Sequence, residues 1–402
     1  MQKLSLFIIF SSVLLVSPSF CQQANLSKLP DYHVEPAPEW TNQFKRNNGW
    51  FGGDGIFTIA KSGRETNLSK NSKVWFHFSD SFIGSVNNNI PDSNTIMVNN
   101  SLGYWENTGS SPAPITFSIP TNSENKPISR FIPPTELTAK GTYFWLGDGF
   151  VNKEMKDSTF IFAYHIRKTG PNVFDFEETD VSILAIAPKQ SNASRIIKTP
   201  LHIVHPLWGP VNFGAGIFVN TKWAGAKNPD GYLYVYGCLD KDKKLVAARI
   251  KPDFFTQFDA WQYWDGNHWQ PNPSKISPIT NHVSNELSLT QLDDGRYLLI
   301  FQILGLSEKV GARIGQTPYG PFGEVIELYE TPESKNGLLT YNAKAHLVLS
   351  PKGELLISYN TITFDFWNDI KKDASIYYPR FFKIIWDKKL FIKNKNSSVN
   401  QN

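Results

Sequence analysis

The segment NGWFGGDG at residues 48–55, which continues into the apolar residues IFTI at 56–59, decides how the rest of the chain is interpreted. It places one carboxylate, Asp54, between glycines at the start of a strand. Glycine has no Cβ, so the backbone there can adopt unusual angles and another group can approach closely. Trp50 supplies flat apolar surface beside the acid, a combination that suits a sugar. The alternative is a glycine-rich turn capped by an aspartate.

The composition favours a large β fold. The chain has 402 residues, of which 14% are aromatic, and aromatic side chains are enriched in strands. This length can bury an extensive core. The net charge of +4 is spread without long basic runs, so we expect no nucleic-acid partner.

The first 21 residues are typical of an export signal. The apolar run at residues 4–16 is too short to span a bilayer comfortably, and small residues precede a cut after Cys21. We therefore predict a secreted or periplasmic protein without a transmembrane segment. The alternative is a lipoprotein with Cys21 lipidated, which is disfavoured because Phe20 is bulky where such sites have a small residue.

The remaining chain shows five similar clusters of strand-like segments. Their opening strands fall near Asp54, Asp148, Gly214, Glu286 and His346, on average about 73 residues apart. A recurring unit of three or four antiparallel strands cannot bury its faces alone and is typical of a propeller blade. The sequence thus predicts an all-β fold, a five-bladed β-propeller. A pair of β-sandwich domains is the competing fold, but no linker-like segment divides the chain.

These patterns predict the domain organisation. We expect a signal peptide at residues 1–21 and an N-terminal leader at 22–44 that packs along the surface. A single propeller domain is expected at 45–393, followed by a disordered tail at 394–402.

In a propeller the first strand of every blade lines the central channel, so residues distant in sequence converge there. We predict Asp54, Asp148 and Glu286 as catalytic carboxylates, because glycoside hydrolysis requires one acid that protonates the leaving oxygen and another that acts as base or nucleophile. Asp148 repeats the Gly-Asp-Gly pattern of Asp54. For Glu286 the alternative is a buried ion pair with an arginine such as Arg313.

Seven further residues are predicted to bind substrate: Trp50, Asp80, Trp145, Asn342, Lys344, His346 and Arg380.

Three of these seven have structural alternatives. Asp80 could hold a loop by hydrogen bonds, His346 could be a structural strand histidine, and Arg380 could lock the ring where its last strand closes. No cofactor motif is present, and we predict no metal ligands. His346 and channel water could hold a structural Ca²⁺ ion, although no loop of oxygen ligands is visible.

Six motifs carry a family resemblance that spans about residues 45–385. They are GWFGGDG (49–55), FSDSFIG (78–84), WLGDG (145–149), FGAG (213–216), YNAKAH (341–346) and YYPRF (377–381). They resemble the motifs of secreted bacterial domains catalogued as domains of unknown function, some of which are implied to be endo-acting D-arabinanases. The wider group is similar to the five-bladed propellers of the arabinanase, xylosidase and invertase clans.

The resemblance implies a propeller that acts on, or binds, a polysaccharide in the channel mouth. It implies that Asp54 is base or nucleophile and that Asp148 tunes and orients. The general acid of those clans is a third-blade glutamate, but the third opening strand here has no acid around Asn212, and Glu286 in the fourth blade is the substitute. The sequence also has Phe-Ser-Asp at Asp80 where the pattern has Phe-Gly-Asp.

The sequence therefore favours a secreted glycoside hydrolase that cleaves a polysaccharide, with arabinan-type polymers as candidate substrates. The alternative is a non-catalytic carbohydrate-binding propeller in which the same acids only accept hydrogen bonds from hydroxyls. A structural surface scaffold is a third hypothesis.

Overall fold

The computed structural model describes residues 25–66, 68–109, 113–136, 138–193 and 195–387. The expected signal peptide at 1–21, with Cys21, and the expected tail at 394–402 lie outside the described residues.

Strands dominate the described chain. In chain order they are β1 (Tyr32–Pro36), β2 (Asn48–Gly53), β3 (Phe57–Ala60), β4 (Lys73–Phe78), β5 (Ser81–Asn87), β6 (Ile90–Pro91), β7 (Ile96–Val98), β8 (Ser101–Glu106), β9 (Thr116–Ser118), β10 (Tyr143–Asn152), β11 (Ser158–Lys168), β12 (Phe176–Ile186), β13 (Arg195–Lys198), β14 (His202–His205), β15 (Gly209–Asn220), β16 (Tyr232–Leu239), β17 (Lys244–Ile250), β18 (Gln262–Trp264), β19 (Trp269–Gln270), β20 (Leu287–Gln291), β21 (Tyr297–Gln302), β22 (Lys309–Gly315), β23 (Ile326–Glu330), β24 (Leu339–Ala345), β25 (Glu354–Ile362) and β26 (Arg380–Trp386).

Helices are short in the described residues. Two α-helices have four residues each, α1 (Pro38–Thr41) and α2 (Phe366–Asp369). Segments of 3₁₀-helix lie at Asn42–Phe44, Lys241–Lys243, Pro252–Phe254, Phe258–Ala260, Pro273–Lys275, Pro332–Asn336, Leu347–Leu349 and Ala374–Tyr377. Among the described residues, none of the helices combines the length and hydropathy needed to cross a bilayer.

The strands form six antiparallel sheets, five of which are called the main sheets and are numbered along the chain. Sheet 1 has the order β3-β4-β8-β9, and sheet 2 has β10-β11-β12-β13. Sheet 3 is β14-β15-β16-β17-β18-β19, and sheet 4 is β20-β21-β22-β23. Sheet 5 is β24-β25-β26-β1, and the sixth sheet is β2-β5-β6 with β7 also on β5. The expectation of a chain dominated by antiparallel strands is therefore confirmed, while the arrangement of five blades stays a prediction.

An apolar layer lies between each pair of consecutive sheets. Sheets 1 and 2 share one layer, sheets 2 and 3 a second, sheets 3 and 4 a third, and sheets 4 and 5 a fourth. A further layer, which includes Phe76 of sheet 1 and Phe381 of sheet 5, joins the last sheet to the first. Central strands such as β21 are buried on both faces, which explains their near-continuous apolar sequence.

The predicted leader contains a strand of sheet 5. β1 pairs antiparallel with β26, with Tyr32 opposite Trp386 and Pro36 opposite Phe382. The N-terminal strand thereby covers the hydrogen-bonding edge that the C-terminal strand would otherwise expose. The structure differs from the expected surface leader, since the domain packing extends at least to residue 32.

One strand from each numbered sheet contacts a strand of the next sheet in sequence order, and three of these strands are bulged. β3 contacts β10, β10 contacts β15, β15 contacts β20, and β20 contacts β24. The bulges lie between Leu146 and Gly149 in β10, between Phe213 and Gly216 in β15, and after Tyr341 in β24. A bulge bends a strand and re-aims its side chains, which is how Asp148 is directed.

Replacement of Gly214 by alanine tests the bulge of β15. Gly214 has φ +105°, and a Cβ there would lie 2.5 Å from Cγ of Phe162, so Gly214→Ala should lower the free energy of unfolding by more than about 2 kcal/mol. Gly337→Ala is the matched control, because Gly337 has φ +81° but nothing within 4 Å of an added Cβ. Urea denaturation of both variants measures the difference. Equal losses for the two would contradict the close packing of the bulge.

Candidate functional site

Asp54 and Asp80 face each other across two paired strands. The β2–β5 ladder pairs Gly53 with Ser81, and the β3–β4 ladder continues in the same register. Between the two ladders, the Asp54 N–H donates to the Asp80 carbonyl at 3.2 Å. Burial and the charge of Asp54 both raise the pKa of Asp80, so the two carboxyl groups lie within electrostatic reach of each other. The two carboxyl groups are therefore neighbours, although 26 positions separate them in sequence.

Gly55 allows the chain to pass from one ladder to the next. It has φ +61°, and a Cβ there would lie 2.8 Å from Oγ of Ser79. The Ser79 N–H donates to the Asp54 carbonyl at 2.9 Å, so the two strands stay close at this point. The Gly-Asp-Gly pattern thus reflects a backbone requirement that fixes the position of Asp54.

One oxygen of the Asp54 carboxylate has a hydrogen-bond partner among the described residues and the other has none. The Tyr341 hydroxyl donates to Oδ2 at 2.8 Å. Oδ1 is buried and accepts no hydrogen bond from the described residues. Burial raises the pKa of Asp54, while the Tyr341 and Tyr377 hydroxyls and the Lys344 ammonium act in the opposite direction.

Asp80 is held through a single oxygen. The Trp145 indole N–H donates to Oδ1 at 2.8 Å, and the Asn99 amide donates to the same oxygen at 3.1 Å. Within the described part of the chain, Oδ2 accepts none. Burial, together with the charge of Asp54, raises the pKa of Asp80 to about 7. Two residues predicted to bind substrate, Asp80 and Trp145, therefore belong to one hydrogen-bonded unit beside Asp54.

Asp148 links sheets 2 and 3. The Gly149 N–H donates to Oδ1 and the Ile217 N–H to Oδ2, both at 2.7 Å. Burial raises the pKa of Asp148 to about 7. A second buried acid, Glu65, lies within electrostatic reach, and burial with the charge of Asp148 raises its pKa to about 8.

Glu286 forms a buried ion pair with Lys344. The Lys344 ammonium donates to Oε2, and the Asn342 amide donates to Oε1 at 2.7 Å. Burial raises the pKa of Glu286 to about 7, with Lys344 acting against it. The partner of Glu286 is thus not Arg313, whose guanidinium donates to carbonyl oxygens.

The Lys344 ammonium brings the three predicted catalytic acids into one electrostatic environment. It is 1% exposed and lies over the Phe57 ring at 4.1 Å from the centroid. Its charge lowers the pKa of Asp54, Asp148 and Glu286 alike. Because these acids come from different sheets, the structure brings together the side chains that the sequence placed at the opening strands.

Both ring nitrogens of His346 face hydroxyl groups. Nε2 lies 2.7 Å from Oγ of Ser358, and Nδ1 lies 3.1 Å from Oγ1 of Thr58. Burial, with a smaller effect of Lys344, lowers the pKa of His346 to about 3. Within the residues that the structure describes, no group of three His, Cys, Asp or Glu side chains could hold a metal ion.

Two other predicted substrate-binding residues lie in packed surroundings. Trp50 is 1% exposed and stacks on Phe117 with 4.5 Å between centroids, so a sugar does not reach its faces in this conformation. The buried Arg380 donates to Glu333 at 3.2 Å and to the carbonyl of Ser375 at 2.6 Å. Its contacts join the last strand to the preceding loops, as the structural alternative expected.

The family comparison gives a single match. Residues 38–392 match the family described as "Domain of unknown function (DUF5005)". The chain belongs to this family. The predicted membership in a domain-of-unknown-function family is therefore confirmed, while the likeness to endo-D-arabinanases stays a prediction. No curated protein matches the chain.

Solved structures give the remaining comparisons. A suspected hydrolase from Bacteroides ovatus ATCC 8483 superposes with a TM-score of 0.66 at 19% identity, over 96% of this chain and 100% of that chain. An exo-β-1,3-galactanase from Phanerochaete chrysosporium superposes with a TM-score of 0.45 at 8% identity, over 87% of this chain and 64% of that chain. An exo-β-1,3-galactanase from Clostridium thermocellum superposes with a TM-score of 0.42 at 10% identity, over 82% of this chain and 62% of that chain.

Sequence reasoning missed three side chains of this DUF5005 site. The Tyr341 and Tyr377 hydroxyls act to lower the pKa of Asp54, and Glu65 lies near Asp148. The two tyrosines belong to the motifs YNAKAH and YYPRF, in which only the amide and charged residues were singled out. Their position next to Asp54, about 290 and 320 residues earlier, follows only from the folded chain.

Removal of the buried cation tests the ion pair. Lys344→Met should lower the free energy of unfolding by about 3–5 kcal/mol, because Glu286 then lacks its charged partner in a buried position. The double variant Lys344→Met/Glu286→Gln should recover part of this loss, since the unpaired charge is gone. Urea denaturation of both single variants and the double variant gives the coupling energy. Strict additivity of the two single effects would contradict the pairing.

Proposed function

We propose that this protein is a glycoside hydrolase that acts on a polysaccharide, with Asp54 and Asp80 as the two reacting carboxyl groups. The observation that supports this most directly is the cross-strand pair itself. Two acids from adjacent strands lie within electrostatic reach of each other, and each keeps one oxygen without a hydrogen-bond partner among the described residues. Arabinan-type polymers remain candidate substrates, and secretion remains part of the proposal.

We further propose that the five main sheets are the blades of a five-bladed β-propeller. Contacts between consecutive first strands support this arrangement, as does the apolar layer between sheets 5 and 1. Pairing of the N-terminal β1 with the C-terminal β26 would close the ring within the last blade. In such a ring, Asp54, Asp148 and Glu286 lie around one channel.

The environments of Asp54 and Asp80 suit different roles. Asp54 is partly exposed, and one of its oxygens accepts no hydrogen bond from the described residues, so its carboxylate can serve as the base toward water or as the nucleophile toward a sugar carbon. Asp80, with a pKa of about 7, holds a proton in a large fraction of molecules near neutral pH and can donate it to the leaving oxygen. Mutual repulsion separates the two titrations, as an acid–base pair requires.

Asp148 and Glu286 are better suited to positioning. Each accepts hydrogen bonds at both oxygens, Asp148 from backbone N–H groups and Glu286 from Asn342 and Lys344. Such acceptors are fixed in orientation and shape the electrostatic field around Asp54. Their direct catalytic role, expected from the sequence, stays a prediction.

Substitution of the acid pair tests the proposal. Asp54→Asn and Asp80→Asn should each lower kcat/KM by at least about 100-fold, because a carboxamide is neither base, nucleophile nor acid. Release of reducing ends from linear arabinan, β-1,3-galactan and xylan is the measurement, with the exposed Asp259→Asn as control. Turnover that persists in Asp54→Asn would contradict the assignment, and absence of turnover in the wild type would favour the non-catalytic alternative.

The pH dependence of kcat tests the role of Asp80. An acid with a pKa of about 7 loses its proton as the pH rises, so turnover should decline above about pH 7 and approach a tenfold fall per pH unit. Circular dichroism at each pH shows whether the fold persists. Constant turnover from pH 6 to 9 would be incompatible with Asp80 as the proton donor.

A further inference from the structure

Two loops from different sheets contact each other. One is the 169–175 loop between β11 and β12 of sheet 2, and the other is the 363–379 segment between β25 and β26 of sheet 5. Phe174 and Phe364 contact each other edge to face, with centroids 6.4 Å apart at 73°. Lys168 places its ammonium 4.9 Å from the centroid of Trp367.

Aromatic contacts connect the sheet 2 loop to Asp80. Phe176, the first residue of β12, packs edge to face on Trp145 with 4.6 Å between centroids. The indole N–H of Trp145 in turn donates to Asp80. The sheet 2 loop is therefore joined by direct contacts to the side chain that binds one of the two acids.

A second series of aromatic contacts connects the sheet 5 segment to Asp54. Trp367 contacts Phe366 at 5.1 Å, and Phe366 contacts Tyr377 at 4.7 Å. The Tyr377 hydroxyl in turn acts to lower the pKa of Asp54. The two loops touch through Phe174 on Phe364 and Lys168 on Trp367, and we call the two series with these contacts the aromatic arch.

The top of the arch is solvent-exposed, which core packing does not explain. Phe174 is 44% exposed and Phe364 is 76% exposed. Three of the four exposed phenylalanines in the described residues lie here, and Phe254 is the fourth. A cluster of exposed aromatic side chains is typical of a binding surface.

We propose that Phe174, Phe364 and Trp367 form a carbohydrate-stacking subsite, on which a sugar unit of a glycan chain rests while a neighbouring unit lies at Asp54 and Asp80. The C–H face of a sugar ring packs on aromatic surfaces, and the Lys168 ammonium supplies N–H donors for its oxygens. The substrate class is thus a chain of at least two linked sugars. The inference rests on the proposed function for the cleavage step, but not for binding.

Affinity electrophoresis separates binding from turnover. Native gels contain linear arabinan, β-1,3-galactan or xylan, and all variants carry Asp54→Asn so that the polymer is not degraded. Phe174→Ala and Phe364→Ala should each weaken retardation by at least one polymer about threefold to tenfold, the loss expected for one aromatic contact. Phe254→Ala, the matched exposed phenylalanine, should bind as its parent, and urea midpoints verify that the variants fold.

The outcomes distinguish the inference from the proposed function. If retardation depends on Phe174 and Phe364 but the chain that retains Asp54 does not hydrolyse the polymer, the subsite is supported and the proposed hydrolase function is wrong. Hydrolysis combined with unchanged retardation of both variants would keep the hydrolase and overturn the subsite. Absence of retardation by all three polymers would also overturn the subsite.

Discussion

The buried ammonium of Lys344 is the constraint on which the rest of the site depends. An unpaired buried charge is costly, so a lysine at this exposure requires nearby acids. Glu286, which is 58 positions earlier in the chain, supplies the direct partner and ties sheet 4 to sheet 5. Asp54 and Asp148 lie within reach of the same charge, so one cation limits the repulsion among carboxylates from several sheets. Without it, burial of these acids together would require more of them to be protonated.

Irregular backbone at the level of this cation aims the side chains. Bulges occur in β10, β15 and β24, and in β2 between Trp50 and Gly52. Asp148 lies within one of these bulges, and Asn342, with φ 57°, lies within another. A regular strand alternates its side chains between two faces and cannot aim neighbouring residues into a narrow space. The bulges resolve this conflict, and glycine tolerates the tight approaches that they create, as at Gly214.

The sequence predicted strand content, the recurrence of five units and the positions of the acids, because these follow from local patterns of two-residue periodicity and glycine. The sequence did not predict which side chains form ion pairs or hydrogen bonds with one another. The choice of Lys344 over Arg313 for Glu286 depends on which residues of two distant strands lie at the same level. Likewise, the pattern around Trp50 could not show whether its ring faces solvent or the core, since a tryptophan beside glycines suits both. The strand at residues 32–36 escaped notice because its sequence is polar and its pairing partner is at the opposite end of the chain.

The contrast between Glu286 and the Asp54–Asp80 pair argues for a reactive role of the pair. Glu286 has a cation in direct contact, which is how a buried acid is stabilised when its role is structural. Asp54 and Asp80 accept hydrogen bonds from neutral donors, a tyrosine hydroxyl for the first and an indole and an amide for the second. Carboxylates within electrostatic reach of each other repel, and a threonine or valine in either position would relieve the repulsion. An arrangement that lowers stability, without a bonded cation among the described residues, is expected where chemistry requires a carboxyl group that can gain and lose a proton near neutral pH. The aromatic contacts of Trp145 and Tyr377 fit the same interpretation, because they hold the partners of the two acids in place without neutralising the acids.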